Sequence, residues 1–145
     1  MSADTAFSLD PRLAADTVEV GRLPLCRILL MNEARFPWVI LVPERTGVTE
    51  IFQLDADDQR RLIAESSAVS RSLSEAFRAD RMNVAALGNL VPQLHLHHVV
   101  RFRADEAWPD PVWGRFEPRP YDAAALAERV AAVRRALANA PGFRT

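Results

Sequence analysis

The sequence predicts an α+β fold: a five-stranded antiparallel sheet with a central helix and a C-terminal helix. Two observations carry this. Short apolar runs and long amphipathic runs follow one another as strands, helix, strands, helix. No strand–helix–strand alternation with a Gly-rich phosphate loop appears, so a parallel doubly wound sheet is not expected. The 145 residues suit one domain spanning 1–145 with a core of its own.

The elements are read in chain order. "FSLDPRLAAD" forms a short helix, with Asp10 as cap and Pro11 in the first turn. "TVEV" is a strand that "GRLP" ends. "LCRILLMN" and "WVILVPE" are the next two strands, joined by Asn32 to Pro37. Asp55 opens a helix whose first turn is acidic, as the helix dipole favours. Leu62, Val69, Leu73 and Ala76 make its apolar stripe, with small Ser66 between. "RMNVAALG" and "QLHLHHVVRFR" are the last two strands, and Gly88 to Pro92 form a tight connection between them. Residues 104–120 carry Pro109, Pro111, Pro118 and Pro120 with Trp108, Trp113 and Phe116. Proline cannot feed a ladder, so this is an ordered covering loop whose aromatics need burial. A helix from Asp122 carries Leu126, Val130, Val133 and Leu137 on one stripe, and Pro141-Gly142 closes it.

Composition excludes several classes. Apolar residues are 49% and charged residues 26%, ordinary for a globular protein. The net charge of −1 gives no electrostatic case for a nucleic acid or membrane partner. The N-terminal "MSADTAFSLDPRLAADT" lacks the apolar region of a signal peptide, and no run approaches the ~20 residues of a membrane span, so the cytoplasm is the expected location. The single cysteine, Cys26, lies in an apolar run and reads as a small buried hydrophobe.

All three histidines stand within four positions of "NLVPQLHLHHVVRF". On a strand, Gln93, His95, His97 and Val99 share one face, which reads as partly polar. Leu94, Leu96, His98 and Val100 share the other, which reads as core. His98 is therefore expected to be a buried or edge histidine with satisfied hydrogen bonds. His95 and His97 stand roughly 6.6 Å apart along the strand and can meet one ligand. Two chemistries fit such a pair. Metal binding needs a third ligand; only a carboxylate such as Glu33 or Glu44 could serve, and the spacing nominates neither. Nucleophilic catalysis at phosphorus needs one attacking imidazole and one that binds the phosphate, and imidazole titrates near neutrality.

"PQLHLHHVVR" resembles the histidine triad (HIT) motif, His-φ-His-φ-His-φ-φ, with glutamine first. "LLMNEARFPWVILVPE", the helix after it and the "ALGN" approach resemble the family's pattern in order. "AWPDPVWG" is similar to the end of the bacterial branch labelled diadenosine polyphosphate hydrolase-like. The resemblance implies a homodimer and hydrolysis or transfer at the α-phosphate of a nucleotide, dinucleoside polyphosphates being candidate substrates. It implies no required cofactor, with magnesium accompanying a polyphosphate substrate. His95 would be the nucleophile and His97 the phosphate partner. The Gln93 carbonyl would orient the nucleophile, Gly88 and Asn89 would present donors to the phosphate, and Asn32 would contact ribose. Leu90 departs from the pattern where a serine or threonine is frequent, Thr46 where a histidine is, and His98 where valine or isoleucine is. A nucleotide-binding dimer without turnover is the alternative, and a His-x-His metalloprotein the third reading.

Other residues have weaker claims. Arg45 reads as a phosphate contact or a solvated charge. Trp38 is core or a base-stacking ring. Trp108 and Trp113 are a structural clamp or a cover for the site. Ser70, Ser72 and Ser74 have no histidine beside them in sequence.

Overall fold

The computed structural model describes residues 6–145; residues 1–5, part of the N-terminal stretch considered above, lie outside the described residues. The order is α1 (Pro11–Asp16), β1 (Thr17–Arg22), β2 (Cys26–Met31), β3 (Trp38–Pro43), a short 3-10 turn (Ile51–Gln53), α2 (Ala56–Phe77), β4 (Arg81–Ala85), β5 (Leu96–Arg101) and α3 (Ala123–Leu137). The five strands form one antiparallel sheet ordered β1-β2-β3-β5-β4. The expected fold class is therefore observed.

Each helix begins where its cap predicts. Asp10 accepts from the Arg12 N–H, with Pro11 next in line. Asp55 accepts from Asp58 N–H at 2.7 Å and Asp122 from Ala125 N–H at 2.8 Å. On α2, Leu62, Ser66, Val69 and Leu73 are buried as expected. Ala76 is exposed, and Phe77 packs on the core instead. A drift of this kind follows from the 3.6-residue period near a helix end.

The inner strands β2, β3 and β5 are buried on both faces, and the face expected to be partly polar carries His95 and His97 among apolar neighbours. Side chains from α2 and α3 cover one face, where Leu62, Val69, Val133 and Leu137 meet Ile28, Leu41, Leu96 and Val100. The other face carries Leu29, Trp38, Ile40, Val42 and Val99. Leu13 of α1 covers it, together with Phe36 and Ala107 and Val112 of the proline-rich segment. Each such fully buried side chain contributes roughly 1.5–3 kcal/mol. Residues 104–120 are thus the covering loop that the sequence predicts, and they fix one wall of the site.

That segment is tied at both ends. The buried Arg101 guanidinium donates to Asp105 at 2.8 and 3.1 Å and to Asn83 Oδ1 at 2.7 Å. Asp105 also accepts from the N–H groups of Phe102, Ala107 and Trp108. Burial alone would raise the Asp105 pKa, but these donors outweigh it and hold it at about 2. At the far end, Ala34 N–H donates to the Arg119 carbonyl and Tyr121 N–H to Asn32 Oδ1.

Two boundaries differ from expectation. β5 begins at Leu96, so Gln93 to His95 form its approach and not its first turn of ladder. The link from β4 runs through residues 86–95, longer than a tight connection, with Gly88 at φ +71°. That loop leaves the sheet plane and makes a second wall of the site.

Candidate active site

The register of the sheet brings the site together. Ile40 on β3 pairs with His97 on β5, and Trp38 pairs with Val99. Trp38 is thereby a diagonal neighbour of His97 on the same face. The Trp38 Nε1–H donates to His97 Nδ1 at 3.0 Å, and both residues are buried. His95 lies edge-on to His97, with ring centroids 5.0 Å apart. Trp113, from the covering segment, packs edge-on against His97 at 5.5 Å and against Trp38 at 6.1 Å.

Hydrogen bonding assigns the protons. His95 Nδ1 lies 2.7 Å from the Gln93 carbonyl oxygen, which can only accept. In the neutral ring the proton is therefore on Nδ1, and the lone pair is on Nε2. This is the contact through which a Gln93 carbonyl would orient the ring. At His97 the logic is reversed. An indole N–H can only donate, so Nδ1 of His97 is the acceptor and its proton is on Nε2. Burial, reinforced by repulsion from His95 and His98, pushes the His97 pKa down to about 3. His97 is thus a neutral hydrogen-bond donor beside the free lone pair of His95.

His98 faces the other way. Its Nδ1 donates to the Leu96 carbonyl at 3.0 Å, and its Nε2 accepts from the Ser66 hydroxyl at 2.7 Å. It is 0% exposed, and burial pushes its pKa down to about 4. The Ser66–His98 hydrogen bond lies inside the core and joins β5 to α2.

The two site histidines line a cavity of about 500 Å³. Gly88 and Asn89 line it from the β4–β5 loop, as expected, and Leu90 lies at its rim with 81% exposure. Aromatic walls come from Phe36, Trp38, Trp113 and Phe116. Among the described residues, the ionisable groups lining the cavity besides the histidines are the carboxylates of Asp16 and Glu33, and no arginine lines it. The Glu33 carboxylate is occupied by the N–H groups of Arg35 at 2.7 Å and Arg119 at 3.2 Å.

Two expected site residues lie outside the cavity lining. Asn32 uses its side-chain oxygen to hold Tyr121. The Gln93 side chain accepts from Asp10 N–H and donates to the Ser8 carbonyl, each at 2.9 Å, and so pins the segment leading into α1. Arg12 donates to the Leu90 carbonyl at 3.2 Å and ties α1 to the loop. Arg45 is neither a phosphate contact nor a solvated charge, since it pairs with Asp58 at 2.7 Å. Thr46 is exposed and away from the cavity. Trp108 lies outside the lining, with the Arg101 guanidinium over its ring. Glu44 pairs with Arg27 at 3.0 Å, and among the described residues no three His, Cys, Asp or Glu side chains form a metal-holding group.

Sequence reasoning missed three contributors. Trp38 reads from sequence as core or a stacking ring, and only the β3–β5 register reveals its donor role. Asp16 and Leu13 reach the cavity from α1, which no local pattern signals. The apolar stretch of the covering segment did signal burial, but not against which face.

The comparisons with known proteins agree on one family. The family model described as the HIT domain matches residues 12–104. A histidine triad protein from Marinobacter aquaeolei VT8 is 52% identical, with TM-score 0.88 over 91% of this chain and 96% of that one. One from Bradyrhizobium japonicum is 47% identical, with TM-score 0.86 over 90% and 97%. One from Sinorhizobium meliloti 1021 is 41% identical, with TM-score 0.88 over 92% and 98%. No curated protein matches the chain.

Proposed function

This chain belongs to the HIT domain family, and on that premise we propose that it is a nucleotide hydrolase or nucleotidyl transferase acting through His95. One observation supports this above the others: Nδ1 of His95 is held by the Gln93 carbonyl, and Nε2 has no hydrogen-bond partner among the described residues. An imidazole fixed in this way presents a lone pair to a phosphorus atom.

The steps balance without a redox partner. The Nε2 lone pair attacks the α-phosphorus and forms a P–N bond while the bond to the leaving group breaks. The leaving group departs with that electron pair and takes up a proton from solvent, which the attacking water of the second step gives back. Water then attacks phosphorus, the P–N bond breaks, and a nucleoside monophosphate is released with His95 restored. His97 Nε2–H donates to a phosphate oxygen as charge builds there. Gly88 and Asn89 line the same cavity.

The lining bears on the substrate. Among the described residues the lining offers no arginine and two carboxylates, of which Glu33 is paired with Arg35, and this favours a substrate with a single phosphate charge at the site, an ester or amide of a nucleoside monophosphate. A dinucleoside polyphosphate would bring extra charge that these side chains do not neutralise, and magnesium would have to accompany it. Asn32 already accepts one bond from Tyr121 N–H on its side-chain oxygen, and it keeps its NH₂ group and one oxygen lone pair to offer a ribose.

A homodimer is part of the proposal. β4 is an edge strand, and Val84 and Leu87 stand 47% exposed along it and just after it. Sedimentation would show twice the 16.2 kDa chain mass. Among the described residues no helix is long and apolar enough to cross a membrane.

The test is incubation with nucleoside monophosphate amides and dinucleoside polyphosphates, following release of nucleoside monophosphate. Turnover that survives His95→Ala at full rate would sink the mechanism. The second reading, binding without turnover, draws on Leu90, which has no side-chain donor. Tight binding of a nucleoside monophosphate with no substrate turned over would establish it.

A further inference from the structure

His97 is enclosed by groups that leave it one useful proton. Trp38 donates to its Nδ1 at 3.0 Å. The rings of Trp38, His95 and Trp113 stand 5.6, 5.0 and 5.5 Å from its own. A proton on Nδ1 would place two donors face to face at hydrogen-bond distance, in a site where both residues are 7% exposed and water gives little relief.

We propose that Trp38 is a positioning residue, whose indole N–H on Nδ1 keeps His97 neutral with its proton on Nε2, so that phosphate always meets a donor there. This rests on the reading of His97 as the phosphate partner. Free imidazole exchanges between two tautomers and a cation near neutrality. Two of those three states are wrong for this task. The Nδ1–H tautomer turns a lone pair toward phosphate oxygens. The imidazolium sets a second cation against His95 whenever that ring becomes charged by forming its phosphorus bond.

Repulsion from His95 and His98 adds to burial in keeping His97 neutral, but these groups do not select which nitrogen carries the proton. His95 adjoins it on the same face, and His98 is on the opposite face of β5. Asp16 and Glu33 line the cavity, and their negative charge favours the imidazolium. β3 contributes Trp38, and the covering segment contributes Trp113, neither of which ionises. The low pKa of His97 comes from burial first and from repulsion by His95 and His98 next, and the Trp38 N–H on Nδ1 decides the tautomer. The sheet makes the arrangement rigid, because Trp38 and His97 are diagonal neighbours across β3 and β5.

The experiment is long-range proton–nitrogen NMR on 15N-labelled protein, without substrate, over a pH titration. The expected wild-type spectrum shows His97 with an unprotonated Nδ1 and a protonated Nε2, unchanged down to about pH 5. Trp38→Phe keeps an aromatic ring and removes the donor. In that variant His97 should begin to protonate at least one pH unit higher, and the Nδ1–H tautomer should become detectable. In turnover assays kcat should fall about tenfold with KM within about twofold. A wild-type His97 protonated on Nδ1 would overturn the proposal, and so would a Trp38→Phe protein whose His97 signals titrate as before. Should Trp38→Phe fail to fold, the wild-type spectrum decides alone. The spectrum reads the tautomer whether or not any substrate turns over, so failure of the enzymatic reading stays separate from failure of this one.

Discussion

His97 and His98 are consecutive residues on one strand, and they have opposite fates. Both are buried, both are neutral, and burial pushes both well below the ordinary histidine pKa. His98 satisfies both ring nitrogens inside the protein, through Leu96 and Ser66. His97 satisfies only Nδ1, through Trp38, and no hydrogen-bond partner among the described residues takes Nε2. The lesson is that desolvation alone does not mark a functional histidine. The useful sign is a nitrogen left over after the protein's own hydrogen bonds are counted.

This contrast can be broken by substitution. His97→Ala should reduce turnover by about 10²–10³-fold, the usual effect of losing one preorganised donor to developing charge. Its effect on stability should be smaller, although the Trp38 N–H loses its acceptor; steady-state kinetics with denaturant melts would show both. His98→Ala should do the reverse. It opens a cavity and leaves the Ser66 hydroxyl unpaired in the core, which costs about 2–4 kcal/mol of stability. The kcat/KM of the folded fraction should stay within about threefold. Loss of turnover in His98→Ala with unchanged stability would contradict the division of roles.

Acid should act on both histidines alike. Their folded pKa values, about 3 and about 4, lie below the ordinary value of 6.5. The unfolded chain therefore binds more protons than the folded one between those values and 6.5. Stability is complete above about pH 6.5 and declines as pH falls, by up to about 1.4 kcal/mol per pH unit for each histidine. His98→Asn should flatten that decline by about half, as urea melts between pH 7 and pH 4 would show. The smallest expected effect concerns the rim. Leu90→Ser restores a hydroxyl donor at an exposed position, and kcat/KM should rise about three- to tenfold if the loop conformation is kept.

Much of the arrangement was legible in the sequence. Period-two alternation separated His95 and His97 from His98, although β5 begins only at Leu96. The approach to the strand stays extended enough to preserve the alternation. Cap residues Asp10, Asp55 and Asp122 marked three helix starts. What was not legible depends on contacts between distant segments. Nothing near Trp38 in sequence tells that β3 pairs with β5 so that its indole meets His97. Asn32 has the residue type for a ribose contact, yet Tyr121, 89 positions away, donates to its oxygen. Arg45 looked solvent-exposed until α2 supplied Asp58. The covering segment announced burial through its aromatics, but its placement on the histidine face is set by Arg101, Asp105 and the Asn32–Ala34 loop together.

The central claim is that the unpartnered Nε2 of His95 forms a covalent bond to phosphorus. Rapid acid-free quenching during turnover of a nucleoside monophosphate amide, followed by intact-mass and peptide spectrometry, tests it directly. The account predicts a transient mass gain of one nucleoside monophosphate, located on the peptide bearing His95, acid-labile, and absent in His95→Ala. Turnover with no such adduct, or an adduct on any other residue, would contradict it.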